Sequence, residues 1–208
     1  MFEGPEGSGK STQAHLLVDR LCRLGRRVAA TREPGGTPLG DQLRQLLLSR
    51  NDLGLAPRAE ALMMCAARAQ LVETVIRPAL ARGETVVCDR FGDSTLAYQG
   101  YGRGLELEAL GSVVDFATGG LRPDLVVLLD VPVAEGLARK RAQDATAPAL
   151  AWNRFEAAGP GFHERVWRGY HALAATEPGR WLRLDARERP AELAEKIWER
   201  VAELVGPL

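Results

Sequence analysis

A glycine-rich run near the start of the chain, Gly4-Pro5-Glu6-Gly7-Ser8-Gly9-Lys10-Ser11, carries the spacing G-x-x-x-x-G-K-S/T. Successive backbone N–H groups in such a loop form an anion nest, and the helix that follows adds its positive N-terminal end. The chain takes nearly all its positive charge from arginine, and Lys10 is the only lysine before Lys140. A slim ammonium on a flexible stem can reach between two phosphates where a planar guanidinium cannot easily follow. The spacing and the residue choice imply that the chain binds a nucleoside triphosphate. Gly4 through Thr12 would wrap its phosphates, with the Ser11 hydroxyl available to a magnesium ion.

Four further groupings could do chemistry with a phosphate held there. Asp89-Arg90 directly follows the apolar run Thr85 to Cys88. At the carboxyl end of a parallel strand, where ligands gather, Asp89 could hold magnesium water and Arg90 could grip a phosphoryl oxygen. The alternative is a mutual ion pair capping the strand. Arg32 and Glu33 precede a Pro-Gly-Gly turn, at a second strand end or as solvated charges of an ordinary connection. Arg68 lies among Met63, Met64, Cys65, Ala66, Ala67 and Ala69, a setting that calls for an anion or a polar ligand edge unless the side chain snorkels outward. Asp93 through Gly100 mixes hydroxyl, amide and aromatic groups. A nucleobase pocket needs such groups, and so does a plain helix start capped by Asp93 or Ser94.

The elements that must position these groups are legible from periodicity. Short apolar runs at Arg27 to Ala30, Thr85 to Cys88, Leu125 to Leu129 and Trp181 to Leu184 suit strands covered on both faces. Leu17, Leu21 and Leu24 mark a helix ending at Gly25. Pro57 opens a long one through Leu62, Ala66, Ala69 and Val72, bent by Pro78 and ended by Gly83. Phe162, Val166, Tyr170 and Leu173 define another, and Leu193, Ile197, Val201 and Leu204 the last, behind Pro190. Strands alternating with helices predict a three-layer α/β fold around a mostly parallel sheet. Thr31 to Pro38 and Gln143 to Gly161 do not read as regular core; the second is expected to be a surface flap. Met1-Phe2-Glu3 falls short of the about five residues a strand usually takes, so the reading favours a native start upstream.

Composition narrows the function classes. The 208 residues are 46% hydrophobic and 26% charged with zero formal net charge, ordinary for one soluble domain. No long basic run invites nucleic acid or an anionic membrane, and no apolar run approaches the length of a bilayer span. Cys22, Cys65 and Cys88 have neither disulfide-scaffold nor zinc spacing, which points to reduced thiols in a cytoplasm. No N-K-x-D guanine-reading motif occurs, which weighs against a GTPase switch.

Taken together, the phosphate loop, TREPGG, LMMCAARAQLVETVIRPAL, DRFGDSTLAYQGYGRG, RPDLVVLLD and RLDA resemble the thymidylate kinase family of bacterial type. The resemblance runs from Met1 to about Arg187. It implies a single P-loop NTPase domain over residues 1–208 with a five-stranded parallel sheet, a mobile lid at about 139–161, and a homodimer. It also implies magnesium, with ATP and dTMP as substrates. Carried onto this chain, Lys10 and the amides of Gly7 to Ser11 would cradle ATP, with Ser11 and Asp89 toward the metal. Glu6 would approach the acceptor's 3′-hydroxyl, and Arg32 and Arg90 would hold the dTMP phosphate. Arg68 would donate to a thymine carbonyl beside Ser94, Thr95 and Gln99, while the Tyr98 ring would favour deoxyribose. Met64 stands where relatives place a phenylalanine on the base. Gly7 replaces a loop arginine found in some relatives, so lid arginines (Arg139, Arg141, Arg154) would supply catalytic charge; Gln143 stands where some bacterial relatives have another. A kinase for a different nucleoside monophosphate, or for a deoxynucleoside, is the nearest alternative. The long helix from Pro57 to Leu80 is the expected subunit contact.

Overall fold

The computed structural model describes residues 1–48, 54–146 and 154–206. Five strands form one all-parallel sheet in the order β2-β3-β1-β4-β5: β1 Phe2–Glu3, β2 Val28–Arg32, β3 Thr85–Asp89, β4 Val126–Asp130 and β5 Trp181–Asp185. Each of the four strands read from the sequence is present. Each also runs one or two residues further than its apolar run, so that Arg32 pairs in register with Asp89, and Asp130 with Asp185. The charged residues at the carboxyl edge are thus fixed by the ladder rather than by loops. The central strand β1 has only two residues, yet Phe2 pairs with Asp89 on one side and Val127 on the other.

Helices cover both faces. α1 (Lys10–Arg23) and α9 (Pro190–Val205) close one side over Phe2, Leu21, Leu129 and Ile197. On the other, α8 (Pro160–Thr176) buries Phe162, Val166 and Tyr170 against Val126, Leu128 and Trp181. Along the chain lie α2 (Pro38–Leu48), α3 (Pro57–Leu71), α4 (Arg77–Ala81), α5 (Gly92–Thr95), α6 (Leu107–Thr118) and α7 (Val133–Thr146). The bend expected at Pro78 is spread over a wider π-helical turn, Val72–Ile76, between α3 and α4. Pro78 lacks the N–H that would bond Thr74, and its ring crowds that carbonyl, so the preceding turn opens. A second π-helical stretch, Leu96–Gly102, continues α5. The flap expected at Gln143 to Gly161 begins as a continuation of α7, whose last residues fall inside it. Residues 147–153 lie outside the described residues.

Candidate active site

The phosphate loop leaves the carboxyl end of β1 and ends at Lys10, the first residue of α1. Within the loop, Gly4 and Pro5 turn their carbonyl oxygens inward, accepting from Arg90 Nη1 at 3.2 Å and from Lys10 Nζ at 2.8 Å. Lys10 Nζ also reaches Ser8 Oγ at 3.3 Å. Burial, joined by the nearby Arg90 charge, lowers the Lys10 ammonium to about 8, so a polyphosphate placed beside it would favour its charged form. Gly7 has φ 68°, and a Cβ there would strike the Gly136 carbonyl of α7. Equally, a Cβ on Gly136 would strike the Glu6 carbonyl. The loop and the first turn of α7 are therefore in backbone contact that only two glycines permit.

Arg90 sits at the centre of the site in a left-handed conformation, φ 70°. Its Nη2 donates to Glu6 Oε1 and to the Tyr98 hydroxyl, both at 3.0 Å. Its Nη1 donates to Tyr170 Oη at 3.1 Å and Ser94 Oγ at 3.3 Å. Burial alone would weaken the charge, but Tyr98, Glu6, Tyr170 and Glu3 raise the guanidinium's pKa well above its ordinary value. Glu6 shows the converse balance. Burial would raise it, but Arg90 and Lys10 hold its carboxyl at about 2.

Beneath Arg90 lies Glu3, fully buried, accepting from the Phe91 and Ser94 amides and from the Ser94 and Tyr170 hydroxyls. Burial, then repulsion from Asp93, raises Glu3 to about 7. A raised carboxylate binds its proton more tightly in the fold, so its stabilising contribution is complete below the unfolded value of 4.5. It is lost as pH climbs through about 7. That amounts to about 3 kcal/mol at most. Glu3→Gln should therefore gain on the parent protein by about 5–10 °C in Tm between pH 5 and pH 8. Parallel Tm–pH curves would show that Glu3 does not titrate in this window.

Three guanidinium groups gather at the strand ends. Arg32 pairs with Asp41 at 3.3 Å and is half exposed. Arg44 of α2 donates to Pro34 O at 2.9 Å, and its pKa is lowered by burial and by the Arg32 and Arg90 charges. A partly buried guanidinium crowded by two others makes a place that favours an anion. Asp89 accepts from the Ser11 hydroxyl, placing two hard oxygen donors together at the loop. Magnesium is commonly held by such a pair plus substrate phosphates rather than by a protein cage. No cluster of three or more His, Cys, Asp or Glu suited to a metal occurs among the described residues.

These groups open into one cavity of about 700 Å³ whose lining also includes Glu33, Met64, Arg68, Thr95 and Gln99. Arg68, 2% exposed, is held by Glu33 Oε2, 2.7 Å from Nη2 and 2.9 Å from Nε, and donates to Phe91 O and Thr95 Oγ1, each at 3.0 Å. Glu33 is buried too, so the anion that Arg68 called for is supplied by the TREPGG turn. Burial pushes the Glu33 carboxyl up against the pull of Arg68. Gln99 lines the same cavity with Met64 and Phe155. Its Nε2 donates to Glu60 Oε1 at 2.7 Å, and Glu60 is further held by Arg103 and Arg154. A carboxylate so paired can only accept, which fixes the sense of the Gln99 amide: nitrogen to Glu60, oxygen for the cavity.

Of the residues singled out from the sequence, the cavity brings together Glu6 through Thr12, Arg32, Met64, Arg68, Asp89, Arg90, Ser94, Thr95, Tyr98 and Gln99. Among the lid arginines it does not include Arg139, which donates to Ala186 O and Glu135. Nor does it include Arg154, which bonds Leu47 O and Glu60, or the exposed Arg141. Sequence reasoning missed Glu3, Arg44, Glu60 and Lys140. Lys140 alone had left a signal, the same rarity of lysine that marked Lys10.

A parallel sheet with a phosphate loop at its central strand, facing gathered guanidinium groups across one cavity, defines a P-loop nucleotide kinase. A sequence model of the thymidylate kinase family matches residues 2–197. Similar proteins include a thymidylate kinase of Solidesulfovibrio magneticus, 52% identical over 98% of this chain and 98% of its own length. Another, from Roseiflexus sp. strain RS-1, is 50% identical over 94% of this chain and 89% of its own. The crystal structure of thymidylate kinase from Ehrlichia chaffeensis superposes with a TM-score of 0.77 at 30% identity, covering 96% of each chain. The chain belongs to the thymidylate kinase family.

Proposed function

We propose that this protein phosphorylates dTMP to dTDP with ATP. An oxygen of the dTMP phosphate forms a bond to the γ-phosphorus while the bond from that phosphorus to the β–γ bridging oxygen breaks, and ADP leaves with the bridging oxygen. The observation that carries the reading is that the phosphate loop and the Arg32–Arg44–Arg90 cluster line one cavity with Arg68, Thr95 and Gln99. Transfer of this kind depends on positioning and on positive charge over the equatorial oxygens. Lys10 and the loop amides hold the donor. Arg90 bridges donor and acceptor, and Arg32 and Arg44 bind the acceptor phosphate. Glu6, held by Arg90 and Tyr98, would approach the 3′-hydroxyl. The donor Arg68 and the acceptor Gln99 oxygen suit the O4 and N3–H edge of thymine, and cytosine reverses both groups.

Magnesium, bound through Ser11 and Asp89, would neutralise phosphate charge. A lid at about 139–161 closing over the cavity would keep water from the γ-phosphoryl. The Cys65 and Cys88 thiols are unpaired and buried, in keeping with a cytoplasmic protein, and no helix among the described residues is long and apolar enough to cross a membrane. A coupled assay with dTMP, dUMP, dCMP, dGMP and UMP tests the assignment. Preference for dTMP is expected, and preference for a purine or for dCMP would overturn it.

For a homodimer, the long helix expected from the sequence, α3, together with α6, is the proposed contact. Phe116 is 89% exposed on α6, and Leu62 is 58% exposed on α3, which packs against α6; exposed apolar side chains on neighbouring helices suit a protein contact. Phe116→Glu should shift the protein to monomer in light scattering, and an unchanged mass would move the interface elsewhere.

A further inference from the structure

We propose that Glu60, which does not itself line the cavity, sets the choice of thymine over cytosine by holding the Gln99 amide in one sense. This rests on the dTMP reading above. Glu60 stands in the first turn of α3 and is fully buried. Each of its oxygens meets two donors. Oε1 accepts from Gln99 Nε2 at 2.7 Å and from Arg103 Nε at 3.3 Å. Oε2 accepts from Arg103 Nη2 at 3.1 Å and lies 2.7 Å from Arg154 Nη1. Both guanidinium groups have anchors of their own. Arg103 lies over the Phe162 ring, 4.6 Å from its centre. Arg154 lies 4.8 Å over Phe155, and its Nε donates to Leu47 O at 3.2 Å. They therefore keep up the demand for an acceptor at position 60.

Among the described residues Gln99 Oε1 has no hydrogen-bond partner, and the side chain lines the cavity beside Arg68 and Thr95. Arg68 Nη1 has only the Cys65 sulfur, at 3.8 Å, among those residues. A base in the cavity thus meets an acceptor from Gln99 and a donor from Arg68. Thymine answers with N3–H and O4. Cytosine brings a bare N3 and an amino group, so both contacts fail together, and a site built on hydrogen bonds rejects such a base strongly. Uracil shares thymine's edge and passes this filter. Glu60 acts through Gln99, as a positioning residue.

Glu60→Gln keeps the shape and removes the constraint. The arginines take its one oxygen, its amide nitrogen faces Gln99, and Gln99 turns its own nitrogen to the base. Initial rates with ATP and dTMP, dUMP or dCMP test this in the parent, Glu60→Gln, Gln99→Met and the double variant. In Glu60→Gln the dTMP-to-dCMP ratio of kcat/KM should fall by at least about tenfold, with the dTMP-to-dUMP ratio within about twofold. In the Gln99→Met background the same substitution should move neither ratio by more than about twofold. A smaller fall, an equal change for dUMP, or a change that survives in Gln99→Met overturns the proposal. Should Glu60→Gln fail to fold, the parent still decides. Its Gln99 side-chain amide protons, assigned by their loss in Gln99→Met, should exchange slowly with and without dTMP, and rapid exchange in the complex overturns the proposal. A parent that converts none of the three nucleotides defeats the kinase reading instead, and the Gln99 amide still reports on the pair with Glu60.

Discussion

Arg90→Ala is expected to lower kcat for dTMP by about a thousandfold or more, with ATP affinity reduced far less. The guanidinium makes five hydrogen bonds, to Gly4 O, Ser94, Tyr170, Glu6 and Tyr98, so its planar fork is held before any substrate arrives. Preorganised charge of this kind acts mainly where charge develops in the transition state. The donor phosphates keep Lys10 and the loop amides, which explains the small effect on ATP. Lys at position 90 would restore charge but not the fork, so Arg90→Lys should remain impaired by at least about tenfold. Isothermal titration with ATP and initial rates with dTMP measure the two quantities separately. Turnover within a few-fold of the parent in Arg90→Ala would remove Arg90 from the reaction.

Glu33→Ala should destabilise the fold by about 3–5 kcal/mol, the range for breaking a buried ion pair from one side. That is a large part of the roughly 5–15 kcal/mol that holds a domain folded. Arg68 is enclosed on all sides, and without Glu33 its guanidinium keeps only the Phe91 carbonyl, Thr95 and Cys65. Removing both charges differs in kind. Glu33→Leu/Arg68→Met should recover most of the loss, because two apolar side chains of similar volume need no partners. It should nevertheless bind dTMP poorly. Denaturant titrations of the three variants decide the matter, and a Glu33→Ala midpoint equal to the parent's would show that the pair contributes nothing.

Where sequence and structure part company, the reasons are specific. The strands were legible because they are buried on both faces and so written as apolar runs. Their last residues, Arg32, Asp89, Asp130 and Asp185, were not, since polarity hides a residue that is nonetheless in the ladder. The phosphate loop was legible whole because its chemistry is local. Glu60 was not, because its meaning comes from Gln99, Arg103 and Arg154, the nearest of them 39 residues away. Glu3 read as a fragment of a truncated strand for the same reason. Its partners Phe91, Ser94 and Tyr170 belong to other layers. The segment from Gln143, expected to be irregular, instead begins inside α7, because the alanines and charges there show little amphipathic contrast.

The paired glycines at positions 7 and 136 also act as a fulcrum. A helix pivoting there moves as a lever, with residue 140 only about 6 Å from the pivot and residue 146 about 15 Å away. A tilt of about 10° would shift the first by about 1 Å and the second by more than twice as much. Any such tilt of α7 about that contact therefore displaces the end of the helix far more than the residues near its start, which line the cavity.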